Sequence, residues 1–244
     1  QIFPPSALNA DDNFFSRRRA SATDSPARRY IGLCAPGTRF KTVLIRVYVA
    51  YMSAAQVLYQ KYGTRADPWM TAIGYFNSLR ELGGMRRVVE DSVRTLLRRM
   101  NQRGLAVRRI EPFTIEELTS RRTAADIPRI LDRLESVFDP VAEQTRKEKR
   151  KAGESSDFSK VPLDVVLATN MISVGVDVGR LGLMIVGGQP KATAEYIQAT
   201  SRVGRTAEGP GLVCMVYNWS RPRDLSHYER FEHYHATFYQ HVEA

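Results

Sequence analysis

Cysteine is nearly absent from this chain. Cys34 and Cys214 are the only two in 244 residues, they lie far apart, and neither belongs to a C-x-x-C pair. That pattern argues against a disulfide framework or a thiolate zinc site and for a reducing, cytoplasmic compartment. Long apolar runs are also lacking, since none approaches the roughly 18 residues that a bilayer span takes. Gln1 to Pro5 show no basic stretch leading into an apolar one, so neither a secretory signal nor a membrane partner is expected. Negative charge is in deficit: 26 Asp and Glu face 36 Lys and Arg, a formal net charge of +10. Such a surface attracts polyanions, and counterion release favours their binding. There is no internal repeat. The chain begins with Gln rather than Met, which points to a piece of a longer protein.

What is present is an alternation of apolar runs and helical periodicities. Residues 1–28 are rich in Ser, Ala, Asp and Arg, with Arg17, Arg18 and Arg19 at the centre, and read as a linker or disordered arm. Residues 29–66 read as a helical lead, because the apolar stretch from Thr42 to Leu58 is too long for one strand and is closed by Gly63. From residue 67 to 244 an α/β rhythm predicts one domain. Strands are expected at Thr71–Phe76, Leu105–Ile110, Leu163–Ala168, Leu183–Val186 and Leu212–Tyr217, the last three being the continuous apolar runs of strands covered on both faces. Helices are expected at about Leu79–Arg103, from Asp126 (as N-cap, with Pro128 in the first turn), and at Ala194–Ser201 with Thr193 as N-cap. Residues 139–160, which include the run from Arg146 to Lys151, read as a charged, solvated insertion. Alternation of this kind predicts a mostly parallel sheet with helices on both faces.

Ligands of open parallel sheets gather at the carboxyl ends of strands, which directs attention to two segments. One runs from Ala168 through Thr169, Asn170, Gly175, Val176 and Asp177 to Val178. The other runs from Gln198 through Ser201, Arg202 and Gly204 to Arg205. These segments resemble motifs V and VI of superfamily 2 helicases, A-T-x-x-x-x-x-G-[IV]-D-[IVF] and Q-x-x-[GS]-R-x-G-R, in the right order and with an apolar strand between them. The resemblance implies a RecA-like fold, the second motor domain of an ATP-driven machine on nucleic acid. It implies that Thr169 faces a nucleic-acid phosphate while Gly175 and Asp177 face the nucleotide. Hydroxyls and free backbone N–H groups after a strand can cradle phosphate, and a carboxylate can accept from ribose hydroxyls. An ordinary turn after a strand would use the same Gly and Asp.

Arg202 and Arg205, three apart, can converge two guanidinium forks on one phosphate. The resemblance implies Arg205 as the arginine finger, Arg202 as a second γ-phosphate contact and Gln198 as a group positioning nucleotide or water. Solvated helix arginines are the plain alternative. Ser201 stands where Gly is common, and Ala199 with Thr200 replaces the basic residues of many RNA helicases. Thr71 to Glu81 resembles motif IV, with Ser78 and Arg80 at a helix N-terminus suited to a backbone phosphate. The spacing of Ser78 and Glu81 also fits simple helix capping. Thr119, Ser120 and Arg121 occupy the position of a second phosphate-contacting loop. Tyr75 to Gly83 is similar to the large helicase subunits of DISARM-type anti-phage defence systems, which favours DNA as the track.

Such a motor needs a P-loop lysine and a magnesium-binding carboxylate. Neither G-x-x-x-x-G-K-[ST] nor a D-E-x-H or D-E-A-D string occurs, and Gly32 to Arg39 lacks both lysine and spacing. ATP and Mg²⁺ are therefore expected to be held mainly by an N-terminal RecA-like domain of the same protein, with this chain inactive alone. A nucleic-acid binding module that keeps the fold without catalysis is the alternative. An unrelated α/β enzyme would show a nucleophile with its base or a metal cluster in the core, and the sequence offers neither. His227, His233, His235 and His241 cluster near the C-terminus, but Tyr228, Phe231, Tyr234 and Phe238 fit one apolar helix face, so a packing role is expected and no metal site.

Overall fold

The computed structural model describes residues 27–123, 125–152, 158–173, 177–206 and 209–238. Its centre is a six-stranded, wholly parallel sheet in the order β1-β6-β5-β2-β4-β3. The strands are β1 (Arg29–Cys34), β2 (Ala72–Phe76), β3 (Ile115–Leu118), β4 (Val165–Ala168), β5 (Leu183–Gly187) and β6 (Leu212–Tyr217). Four of the five expected strands lie where their apolar runs place them. Strands β2, β4 and β5 are buried throughout, as expected of strands covered by helices on both faces.

One face is covered by α1 (Phe40–Tyr62) and by the segment of α3 (Leu79–Val88), a π turn at Val89–Val93 and α4 (Arg94–Leu97). Their core joins Val47, Tyr48 and Met52 to Val89, Leu97, Leu167 and Ile185. The expected helix to Arg103 is thus three pieces, followed by a 3-10 turn that ends at Gly104 in a left-handed conformation. The opposite face is covered by α5 (Asp126–Glu135), α7 (Thr193–Thr200) and the C-terminal pair α8 (Pro222–Glu229) and α9 (Phe231–Thr237). Ile130, Leu134, Tyr196, Ala199 and Phe238 pack there on Ile73, Val166, Met184 and Met215. Short α2 (Asp67–Met70) precedes β2, and α6 (Pro140–Lys151) follows α5.

Several expectations are corrected. The lead at 29–66 is not purely helical, because Arg29–Cys34 adds a strand beside β6 and α1 is a core helix of the same sheet. Gly32 breaks the apolar pattern of that strand for a packing reason: a Cβ there would stand 2.7 Å from the ring of Phe231. Phe40–Met70 is long and apolar enough to cross a membrane by length and composition alone, contrary to expectation, but half of that window is buried inside the protein. Leu105–Ile110 is irregular, and the strand lies five residues later. Side chains rather than a ladder hold the irregular segment. Arg108 is buried and donates to Asp164, at 2.7 Å, and to the carbonyls of Met52 and Met70. The charged insertion contains a helix, α6. Ala192 rather than Thr193 caps α7, and α5 begins behind Ala125, with the Thr123 hydroxyl accepting from the Asp126 N–H. The arm, apart from Ala27 and Arg28, and His241 lie outside the described residues.

Candidate functional site

Because every strand runs the same way, every strand's exit loop emerges on one edge of the sheet. Ser78 follows β2, Thr119 to Arg121 follow β3, and Thr169 follows β4, so these residues line three neighbouring strands. Ser78 is exposed and caps α3, its hydroxyl accepting from the Glu81 N–H at 3.3 Å. Glu81 does not reach back; its carboxylate takes Arg221 instead, at 2.7 Å. Arg80, Ser120 and Arg121 are exposed, whereas Thr119 is 1% exposed and its hydroxyl accepts from the Arg121 N–H. Thr169 is 6% exposed and donates to Asn170 Oδ1 at 3.3 Å, opening the 3-10 turn Asn170–Ser173.

The motif VI segment goes the other way. After β5, α7 runs back along the sheet, so Arg202 and Arg205 emerge at the amino-terminal edge, where β5 and β6 begin. The Gly204 N–H donates to Leu181 O at 2.7 Å, and Arg28 Nε donates to Val203 O at 2.8 Å. These contacts correct the expectation that both segments sit at strand carboxyl ends, and α7 is the cause. Gly204 has a φ of +67°, and a Cβ on it would lie 2.2 Å from Gly211 N, so two backbones touch directly beneath the arginines. Asp177 and Arg205, 28 residues apart in sequence, form an ion pair at this edge. Asp177 is 84% exposed, which makes that pair weak and easily exchanged. Gln198 is exposed on α7, its carbonyl accepting from Ser201 Oγ at 2.8 Å. Gly175 lies outside the described residues.

Thus the structure separates the residues into a strand-exit set (Ser78, Arg80, Thr119, Ser120, Arg121, Thr169) and a strand-entry set (Asp177, Arg202, Arg205). The segment after β4 joins them, and its far end is anchored by Arg180. This guanidinium is largely buried, pairs with Asp67 at 3.2 Å, and donates to Thr71 Oγ1 at 2.8 Å and to the Leu134 carbonyl. Burial outweighs the attraction of Arg180 and raises the Asp67 carboxyl above its usual range.

Several polar groups at the strand exits carry no motif signal. Asp224, 3% exposed, accepts from the backbone N–H of Gln189 at 3.2 Å and of Asn218 at 2.9 Å, tying the ends of β5 and β6 to α8. Asn77 donates to the carbonyl of Gln189 at 3.1 Å. The only usable sign was position, since Asn77, Gln189 and Asn218 all fall within two residues of a strand end. Near the C-terminus, His235 is enclosed by aromatic rings. Its Nδ1 faces the Phe231 carbonyl and its Nε2 the Tyr196 hydroxyl, both at 2.8 Å. Both ring nitrogens are therefore engaged in packing.

The matches to known proteins fit this architecture. Residues 112–207 match the helicase conserved C-terminal domain family. The matched stretch runs from the 3-10 turn before β3 to the turn that carries Arg202 and Arg205, and the fold of the chain is RecA-like. It is also 42% identical over 246 residues to the DISARM protein DrmA of Bacillus paralicheniformis, an alignment covering 100% of this chain and 20% of that protein. The chain spans about a fifth of the length of that relative. Among solved structures, the DUF1998 helicase MrfA bound to DNA and AMPPNP superposes with a TM-score of 0.58 at 15% identity, over 91% of this chain and 24% of the other. The Mycobacterium smegmatis helicase Lhr bound to single-stranded DNA and AMP-PNP gives 0.50 at 12%, over 89% and 22%. These two likenesses concern the fold alone.

Proposed function

We propose that this chain is the second motor domain of an ATP-dependent DNA helicase or translocase of the DISARM type, working in the cytoplasm in phage defence. The observation that carries this reading is the meeting of Asp177 and Arg205 at the strand-entry edge, with Arg202 on the same turn of chain. An arginine–carboxylate pair on an exposed edge, with a second arginine three residues before the first, fits a nucleotide presented by a second domain. Arg205 leaves its weak pair with Asp177 at small cost and meets the γ-phosphate. Asp177 is then free for ribose hydroxyls, and Arg202 and Gln198 complete the contact. Bound ATP with Mg²⁺ supplies the phosphoanhydride whose hydrolysis drives movement, and the P-loop lysine and magnesium carboxylate belong to an N-terminal RecA-like domain of the longer protein. The strand-exit edge, with the α3 N-terminus at Ser78 and the exposed Arg80, Ser120 and Arg121, is the track for the DNA backbone. Two solved relatives of the same fold, MrfA and Lhr, are described as bound to DNA, which supports this choice of track.

The test is DNA-stimulated ATP hydrolysis by the longer protein. Arg205→Ala is expected to lower kcat by about a thousandfold, in the range arginine fingers supply, while nucleotide still binds. Full activity of that variant would remove the finger assignment. DNA binding without any ATP hydrolysis in the unmodified longer protein would favour a binding module that keeps the fold without the chemistry.

A further inference from the structure

Trp219 lies on the turn that leaves β6, at the strand-exit edge, and is 43% exposed. Single exposed aromatics are common on protein surfaces, but this one is fixed. Its indole N–H donates to the Thr38 carbonyl at 3.1 Å, which holds the ring against the loop leaving β1. The turn beneath it is equally fixed. Asn218 Oδ1 accepts from the Ser220 N–H at 3.1 Å and from its hydroxyl at 2.8 Å, the Arg221 N–H closes onto the Asn218 carbonyl, and Asp224 holds the Asn218 N–H. The indole N–H is thus satisfied while ring surface stays open to solvent.

The surroundings are cationic and continuous with the proposed track. Arg221, two residues on, pairs with Glu81 at 2.7 Å and so joins the Trp219 turn to the first turn of α3, where Ser78 and Arg80 lie. Arg39, next to Thr38 in the chain, is exposed. Strands β6 and β2 are two strand spacings apart, about 9–10 Å. A fixed aromatic face with arginines nearby in the chain, on the same edge as the helix end of the proposed track, has the composition of a site for stacked bases.

We infer that Trp219 is a stacking platform for one nucleobase of a single strand whose backbone runs past Ser78 and Arg80. This rests on the proposed DNA track and adds to it a contact with a base face, which a paired and stacked duplex does not offer. The platform is indifferent to base identity, since every base has a π face.

The experiment compares binding of the full chain, by fluorescence anisotropy, to a labelled oligothymidine and to an abasic oligonucleotide of equal length. The unmodified protein is expected to prefer oligothymidine. Trp219→Ala should cost about tenfold for oligothymidine and little for the abasic strand, with Trp219→Phe between. Because the ring is half out of the fold and the turn is held by Asn218 and Asp224, thermal unfolding of both variants should match that of the unmodified protein. Undiminished oligothymidine binding by Trp219→Ala overturns the platform. Equal binding of both strands by the unmodified protein overturns it too, while leaving the backbone track intact. Binding of neither strand removes the track and the platform together.

Discussion

Gly204 shows how a residue between two arginines proposed to meet nucleotide can matter more for shape than for chemistry. Its φ of +67° is one that side-chain-bearing residues rarely adopt, and its Cα passes against Gly211 at the start of β6. Gly204→Ala places a methyl carbon 2.2 Å from a backbone nitrogen. Backbone cannot yield as a flexible side chain would, so the Arg202–Arg205 turn must move away from Leu181 and Gly211. The expected result is a fall in DNA-stimulated ATP hydrolysis comparable to that of Arg205→Ala, together with a lower Tm, whereas Arg205→Ala leaves Tm unchanged. Normal hydrolysis by Gly204→Ala would show that the turn tolerates displacement. At this scale the sequence was informative. Gly204, Arg202 and Arg205 stand out by type and spacing, and the tight crossing with Gly211 is the physical reason that glycine is needed there. Asp224 was silent, because a lone aspartate in a polar stretch gives no sign that two strand-end N–H groups will converge on it.

At the scale of elements, legibility followed burial. Strands β2, β4, β5 and β6, covered on both faces, are nearly unbroken apolar runs, and the sequence places them within a residue or two. The edge strands were hidden. In β3 the middle positions are Glu116 and Glu117, which face Arg122, Arg133 and Arg86 rather than a core. In β1, Gly32 makes room for Phe231. The C-terminal α8–α9 pair carries two histidines whose burial makes its contribution to stability depend on pH. Burial among Tyr30, Tyr196, Phe231, Tyr234 and Phe238 holds the His235 imidazole below its ordinary value, the Phe231 carbonyl opposing and His227 adding to the shift. His227 is lowered as well, first by burial and then by Arg223. A histidine with a depressed folded pKa takes up protons more readily when unfolded, so stability is full above the ordinary value of about 6.5 and drains as pH falls below it toward the folded value. Tm is therefore expected to drop between about pH 7.5 and pH 5.5. In His235→Phe the drop should be smaller, with His227 supplying the remainder, even though the buried Tyr196 hydroxyl loses its partner and Tm is lower throughout. An equal drop in both proteins would acquit His235.

For the whole molecule, the governing fact is that one parallel sheet has two unlike edges. All exit loops share one, and a helix returning along the sheet carries Arg202 and Arg205 to the other, so the proposed nucleic-acid and nucleotide contacts fall on opposite edges of one sheet. Motif order in the sequence names the residues, but only the path of α7 assigns them to edges. The formal net charge of +10 bears on the exit edge. If DNA binding came from diffuse attraction by all of this charge, salt would weaken it steeply and no single arginine would matter. If it comes from the exit-edge track, Arg80 and Arg121 are the exposed cations of its backbone contacts, apart from Arg39 and the Glu81-paired Arg221 beside Trp219, while Ser78, Ser120 and the α3 N-terminus contribute without a full charge. Two neutralised phosphates on a single strand give a slope of log affinity against log salt of about −1.4, or roughly sevenfold weaker binding from about 50 to 200 mM salt. Removing both side chains in Arg80→Ala/Arg121→Ala should weaken binding at low salt and make the slope shallower by about 1.4. A steep slope that survives the double variant would assign the attraction to the rest of the basic surface and take the track off this edge.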